Sequence, residues 1–261
     1  MSRTKRISVK TRQLAVHGVP DQSQTTYGLY MDGVLLTTPN GIPVTANNTR
    51  GLLGMCAEID FSDVLDVTGI NLYGMYSTER EFCIPNASCL GDSLHCWLAK
   101  DPVLQLCSGP REAISQWRYY TLVVAFLEEH GLRHPCFTQM PSVSGTHESW
   151  GEDEWRENHR EIADLVETHL LGFTTTQSSA FLTAMTFLQS PIISLMLVLG
   201  RIRPMEAAYI FMAANCILSK IFPDVTRKEE KATLKSITTR SECIQTYLEL
   251  FDVTTKQINE A

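Results

Sequence analysis

The stretch from Tyr27 to Val44, YGLYMDGVLLTTPNGIPV, constrains the fold of this 261-residue chain more than any other. It sets two turn signals, Asp32-Gly33 and Asn40-Gly41, on either side of the apolar run Val34-Leu35-Leu36. Asp-Gly and Asn-Gly are favoured where both central residues of a tight turn take φ > 0, as in the type I′ turn between antiparallel strands. The spacing predicts a meander of three short strands. Residues up to about Leu72 share its turn spacing and β-branched character. Within this part, Asn48 to Phe61 (NTRGLLGMCAEIDF) is the exception. Asn48 or Thr49 can cap a short helix there, with Leu52, Leu53, Cys56 and Ile59 as its buried stripe.

From about Cys89 the pattern turns helical, with Ser88 as a capping residue. Pro110 to Gly131 predicts one amphipathic helix, opened by Pro110, closed by Gly131, and burying Ile114, Trp117, Leu122, Val124 and Leu127. His134 to Trp155 contains Pro135, Pro141, Gly145, Gly151 and the acidic run Glu152-Asp153-Glu154. It is expected to be a surface loop before a helix from about Glu157 to Leu171, with the acids meeting the positive end of the helix dipole. Ser178 to Leu199 is the most apolar segment and long enough to span a bilayer. Thr183, Thr186, Gln189, Ser190 and Pro191 interrupt it, and no aromatic belt flanks it. A buried helix is therefore expected, kinked or split at Pro191 and ended by Gly200. Pro204-Met205-Glu206 starts another helix, and a last one covers Arg227 to Phe251. The expected class is α+β: a small N-terminal β-rich domain over residues 1–75 and a larger C-terminal α-helical domain over residues 76–261.

Charge and cysteine usage narrow the function classes. The net charge of −7 argues against generic nucleic-acid binding through a basic surface. The first twenty residues nonetheless carry Arg3, Lys5, Arg6, Lys10 and Arg12 without an acid. This admits two readings: the trace of a mitochondrial targeting segment, or a first strand in which Ile7 and Val9 alternate with polar neighbours. The eight cysteines are scattered without a Cys-x-x-Cys pair, as expected of reduced thiols in a cytosolic or matrix compartment. No Walker or Gly-rich phosphate loop occurs. His130, His134 and Cys136 have a spacing that a metal could use, but a loop with two exposed histidines is the expected arrangement. His95 and Cys96 are adjacent, so on a helix they point apart. Glu152-Asp153-Glu154 lacks the spaced ligands of a calcium loop. Trp150 and Trp155 flank that run and are expected to pack on their own loop or to mark a contact surface.

Taken in order, several motifs resemble the mitochondrial assembly chaperones of the ATP synthase alpha subunit. They are Asp32-Gly33, Leu36-Thr37-Thr38-Pro39, Ala57-Glu58-Ile59-Asp60, Asp92 with Cys96-Trp97, Trp117, Leu197-Val198-Leu199-Gly200 and Glu206-Ala207. Ile59 stands where the family has Trp. The resemblance implies a soluble, non-enzymatic, cofactor-free matrix protein. It would act as a monomer that covers the beta-facing surface of the unassembled alpha subunit, its client, and would need no small-molecule substrate. The family also has Trp-Gly and then a functional Glu just before the last helix. Here Phe222-Pro223 replaces Trp-Gly, the Glu position falls near Thr226, and Glu229 and Glu230 are the nearest acids. The resemblance thus points to Phe222, Asp224, Glu229 and Glu230 as partner-binding residues. The departure leaves a second expectation open: a structural factor in another mitochondrial assembly such as a ribosome precursor, the one setting in which direct nucleic-acid contact is expected.

Overall fold

A computed structural model describes residues 6–8, 14–19, 26–47, 49–62, 64–66, 69–86, 94–98, 100–106, 110–135 and 152–252. The expectations for Ser88, Cys89, Asp92, Cys136 and Trp150 lie outside the described residues. The chain divides into two compact units. One comprises Met1–Ala87, Thr174–Ala180 and Thr246–Ala261; the other comprises Ser88–Phe173 and Phe181–Gln245. The class is α+β, with a small antiparallel β part preceding a larger helical one.

In the first unit, β1 (Arg6–Ser8) pairs at its far end of the sequence with a strand over Val64–Asp66. β2 (Leu14–Gly18) pairs with β3 (Tyr27–Met31), in register Leu14 opposite Met31. β4 (Val34–Leu35) pairs with the later half of β3, and β5 (Thr45–Ala46) with the earlier half. All these pairings are antiparallel. The Asp32-Gly33 turn has φ of 54° and 78°, the left-handed pair that a type I′ hairpin needs. The second turn differs from the expected I′ form, because only Gly41 is left-handed, at φ 85°. Pro39 fixes its own φ and suits the second position of an ordinary turn, which Gly41 N–H closes on Thr38 O at 2.9 Å. Thr38 N–H to Ile42 O at 2.8 Å then makes a three-residue loop with a left-handed glycine. The Thr37–Pro43 excursion thereby leaves the sheet edge, and the chain rejoins β3 through Leu29 N–H to Val44 O at 3.0 Å.

Helix α1 (Thr49–Ser62) forms where its pattern predicts. Leu52 and Ile59 are buried as expected and Met55 joins them, whereas Leu53 is 55% exposed and Cys56 half-buried. The buried stripe runs 52, 55, 59, and Leu53 sits one residue of rotation off it. The strand β6 (Val64–Asp66) follows, and then α2 (Leu72–Thr78), which runs into a π-helical turn over Glu79–Cys83. After α1 the sequence pattern turns helical again only near Cys89, so α2 is a correction. Asn71 caps it by accepting Gly74 N–H at 2.7 Å. Tyr73 and Tyr76 look strand-forming in sequence, but here they bury their rings and spend their hydroxyls on the β part. Tyr73 donates to Thr37 O at 2.7 Å and Tyr76 to Thr45 O at 2.8 Å.

Glu79 joins three segments of this unit. Its carboxylate accepts from Tyr247 Oη at 2.5 Å, Thr175 Oγ1 at 2.8 Å and Thr176 Oγ1 at 3.1 Å. Tyr247 also stacks on Phe251, which meets Tyr76. A Cβ on Gly54 would fall 2.6 Å from Leu250, so glycine there admits the C-terminal segment against α1.

The second unit contains α3 (Leu94–Leu98), a 3-10 turn at Pro102–Leu104, α4 (Pro110–Trp117), α5 (Thr121–Glu129) and α6 (Glu152–Gly172). After them come α7 (Thr175–Leu188), α8 (Pro191–Val198), α9 (Pro204–Ala214) and α10 (Arg227–Phe251). The first residues of α7 and the last of α10 belong to the first unit. Helix α8 is buried along its whole length and packs on α3, α5, α6 and α9. Pro191 splits the apolar segment: Gln189 turns to φ 50°, and Ser190 caps α8 by accepting Ile193 N–H at 3.2 Å. No helix among the described residues is long and apolar enough to cross a membrane. Gly200, at φ 67°, ends α8, with Arg201 N–H on Met196 O at 2.8 Å.

Two expectations are corrected here. Pro110 to Gly131 is two helices, not one, with a turn at Arg118–Tyr120. Gln116 donates to Tyr120 Oη and to Ala213 O, both at 3.0 Å, which fixes the turn. The break resets the helical phase for α5, so Tyr120, Val123, Phe126 and Leu127 are buried while Leu122 faces outward; in α4 the buried positions are Ala113 and Gln116, and Ile114 faces outward. The acidic run Glu152-Asp153-Glu154 is the first turn of α6 rather than part of a loop before it. Acids are as favourable in a helix's first turn as just ahead of it, which is why the pattern alone did not fix the boundary.

Candidate functional site

The residues singled out for partner binding surround the start of α10. Helix α9 ends with Cys216 in the left-handed region at φ 58°, and Ile217 N–H bonds to Met212 O at 2.8 Å. Leu218 is buried and anchors the following turn, in which Phe222 is half-buried and Asp224 exposed. Thr226 then opens α10 with a capping box. Its Oγ1 accepts Glu229 N–H at 3.2 Å, and the Glu229 carboxylate accepts Thr226 N–H at 3.0 Å and Oγ1–H at 2.7 Å. These bonds hold the Glu229 carboxyl below the usual range. Glu230 accepts from Ser219 N–H at 3.1 Å and from the Ser219 hydroxyl, tying α10 to the turn after α9. Phe222, Asp224, Glu229 and Glu230 thus share one connection, and its two glutamates hold that connection in shape.

Beside it lies a cleft of about 350 Å³ lined by residues of α5, α9, α10 and the turns before α5 and after α9, Glu230 among them. One wall is Tyr119 stacked on Tyr209, with centroids 6.2 Å apart and planes at 26°. Arg118 and Lys220 bring positive charge, and Glu206 negative charge. The Glu206 carboxylate is engaged by Arg203, whose N–H, Nε and Nη2 donate at 2.8, 3.1 and 2.6 Å. Sequence reasoning did not find Arg118, Tyr119, Tyr209 or Lys220. They come together only because the α4–α5 break turns Arg118 and Tyr119 toward α9, and one long helix would have hidden that. A second groove of about 510 Å³, mostly apolar, is lined by Trp97, Lys100, Leu182, Met185, Thr186 and Gln189.

The other candidate chemistry disperses. His134 is buried rather than exposed. Its Nε2–H donates to Val103 O at 2.8 Å and its ring meets Trp117 edge-on; burial lowers it to about 4. His130 lies at the end of α5 with Nδ1 on Phe126 O at 2.8 Å. Among the described residues no group of three His, Cys, Asp or Glu is placed to hold a metal. Burial, with help from Asp60 and Glu79 respectively, pushes the Cys56 thiol up to about 11 and that of Cys83 to about 12. Neither is a thiolate at neutral pH.

The fold is that of three solved structures. Atp12 from Paracoccus denitrificans matches at TM-score 0.59 and 14% identity, over 91% of this chain and 95% of that one. A point mutant of the same Atp12 matches at 0.60 and 14%, over 91% and 94%. A candidate chaperone from Agrobacterium tumefaciens matches at 0.61 and 15%, over 91% and 84%. No protein-family model and no curated protein sequence matches the chain. The motif order read from the sequence therefore meets its expected fold at an identity where the sequence itself gives little.

Proposed function

We propose that this chain is an assembly chaperone of the Atp12 kind, a non-enzymatic protein of the mitochondrial matrix. It binds the unassembled alpha subunit of ATP synthase as a monomer and shields the beta-facing surface until the catalytic head forms. The observation that carries this reading is the match to Atp12 across nine-tenths of the chain, about 91%, rather than over one domain. Such a role needs a surface and no reactive centre. An unassembled subunit exposes apolar area that aggregates unless covered. The connection holding Phe222, Asp224, Glu229 and Glu230 is the proposed client-facing segment.

A second reading, a factor in another mitochondrial assembly such as a ribosome precursor, draws on one observation. Both glutamates nearest the family's acidic position are committed to helix capping and turn bonds in this chain. Affinity purification of the tagged chain from mitochondria decides between the two. Unassembled alpha subunit as the main partner supports the first; ribosomal proteins and RNA in its place reject it.

A further inference from the structure

The cleft between Tyr119–Tyr209 and Lys220 has a charge arrangement that selects its occupant. Its two carboxylates are already used: Glu206 is held by Arg203, and Glu230 by Ser219. Its two cations are not. Arg118 and Lys220 are exposed and make no ion pair among the described residues. Arg118 and Lys220 are thus cations without an ion-pair partner among the described residues, while Arg203 offsets Glu206 and Glu230 keeps its charge, on a chain whose net charge is −7. Beside the cations stand the stacked Tyr119 and Tyr209, with Leu122 38% exposed on the same wall. Aromatic rings with a polar tip and an adjacent guanidinium are the surface elements that anchor protein partners.

We infer that this cleft docks an acidic segment of the client, one in which a carboxylate-bearing residue neighbours an apolar or aromatic one. The carboxylate meets Arg118 and Lys220, and the apolar neighbour lies on the tyrosine wall. The two resident carboxylates favour such a segment over a nucleic acid strand. They would face the phosphates of a continuous polyanion, whereas a peptide carries its charge at intervals. The inference rests on the chaperone reading, since it assigns the cleft to that client. It also shifts weight from the Phe222–Glu230 acids, which hold the local fold, to the basic residues across from them.

The test uses the full chain, a synthetic ten-residue peptide alternating Glu and Leu, and a matched peptide alternating Lys and Leu. Binding is followed by fluorescence anisotropy at low and physiological salt. The Glu peptide should bind, weaken with salt, and lose about tenfold in affinity in Arg118→Glu/Lys220→Glu, as expected for two exposed charge pairs turned repulsive. Tyr209→Ala should weaken it with no change in salt dependence. Equal binding of the Lys peptide, unchanged affinity in the double variant, or equal competition by inorganic phosphate or single-stranded RNA would each overturn the inference. Capture of unassembled alpha subunit is measured alongside. Wild-type capture that survives the double variant rejects this docking site and leaves the chaperone reading standing. Absent wild-type capture rejects the chaperone reading, and the peptide results then decide the cleft by themselves.

Discussion

Replacing Glu79 by alanine tests how the first unit is held together. Its carboxylate takes three hydroxyl bonds from residues distant in sequence, Tyr247, Thr175 and Thr176. Tyr247 is fully buried, so Glu79→Ala takes away the carboxylate acceptor of its hydroxyl and leaves Ser179 as its side-chain partner, at a cost of about 1–3 kcal/mol. Thr175 is half-buried and Thr176 buried, and their hydroxyls, which can rotate, lose about 0.5–1 kcal/mol each. The sum is a destabilisation of about 2–5 kcal/mol, set against a domain stability of about 5–15 kcal/mol. Tyr247→Phe removes only one donor and should cost about 1–2 kcal/mol. Urea unfolding should follow hydrogen exchange of amides in Tyr27–Met31 and Leu72–Thr78, because Trp97 and Trp117 fluorescence reports on the other unit. The double variant should lose less than the sum of the single losses, with a coupling of about 1 kcal/mol or more. Strict additivity, or a Glu79→Ala loss under about 0.5 kcal/mol, would show that Glu79 does not hold these segments together.

Asp101 and Glu229 give further tests. Asp101 is fully buried, bonded by Val103 N–H at 2.9 Å and Ser190 Oγ at 2.8 Å, and burial raises it to about 7. The folded chain thus keeps a proton that the unfolded chain releases near 4, and stability should fall as pH rises from about 4 to 7, by up to about 4 kcal/mol. Asp101→Asn should flatten that slope in thermal melts, and an unchanged slope would contradict it. His134 acts in the opposite direction. Its folded value of about 4 lies below the ordinary 6.5, so stability should fall as pH drops through that interval, and His134→Phe should remove this loss. At the start of α10, Glu229→Gln keeps a capping-box acceptor and Glu229→Ala does not. The alanine variant alone should lose about 0.5–2 kcal/mol in denaturant melts. Client binding that fails in Glu229→Gln, with melting unchanged, would mark the carboxylate as a contact.

What was legible in the sequence divides by range. Asp32-Gly33, Pro191, Gly200 and the Arg227–Phe251 pattern act through neighbouring residues, and each appears where expected. The α4–α5 break was not legible, because Gln116 sets it with an acceptor, Ala213 O, that lies 97 residues away. Helix α2 was missed for a similar reason. Tyr73 and Tyr76 satisfy β-part carbonyls from a helix, so tertiary bonding overrode their strand-like composition. Leu53 and Ile114 show the limit of counting apolar positions, since a shift of one residue moves a side chain about 100° around the helix. For the candidate site, sequence order located Glu229 and Glu230 but could not show that both are engaged within the chain. It gave no sign of Arg118 or Lys220, which meet only in three dimensions.

The chaperone reading is tested most directly by mixing the purified chain with isolated ATP synthase alpha subunit and then adding beta subunit, with size-exclusion chromatography at each step. The chain should form a one-to-one complex that keeps the alpha subunit from aggregating and should be released when beta is added. An alpha subunit that aggregates regardless, or a complex that persists unchanged with beta present, would contradict it.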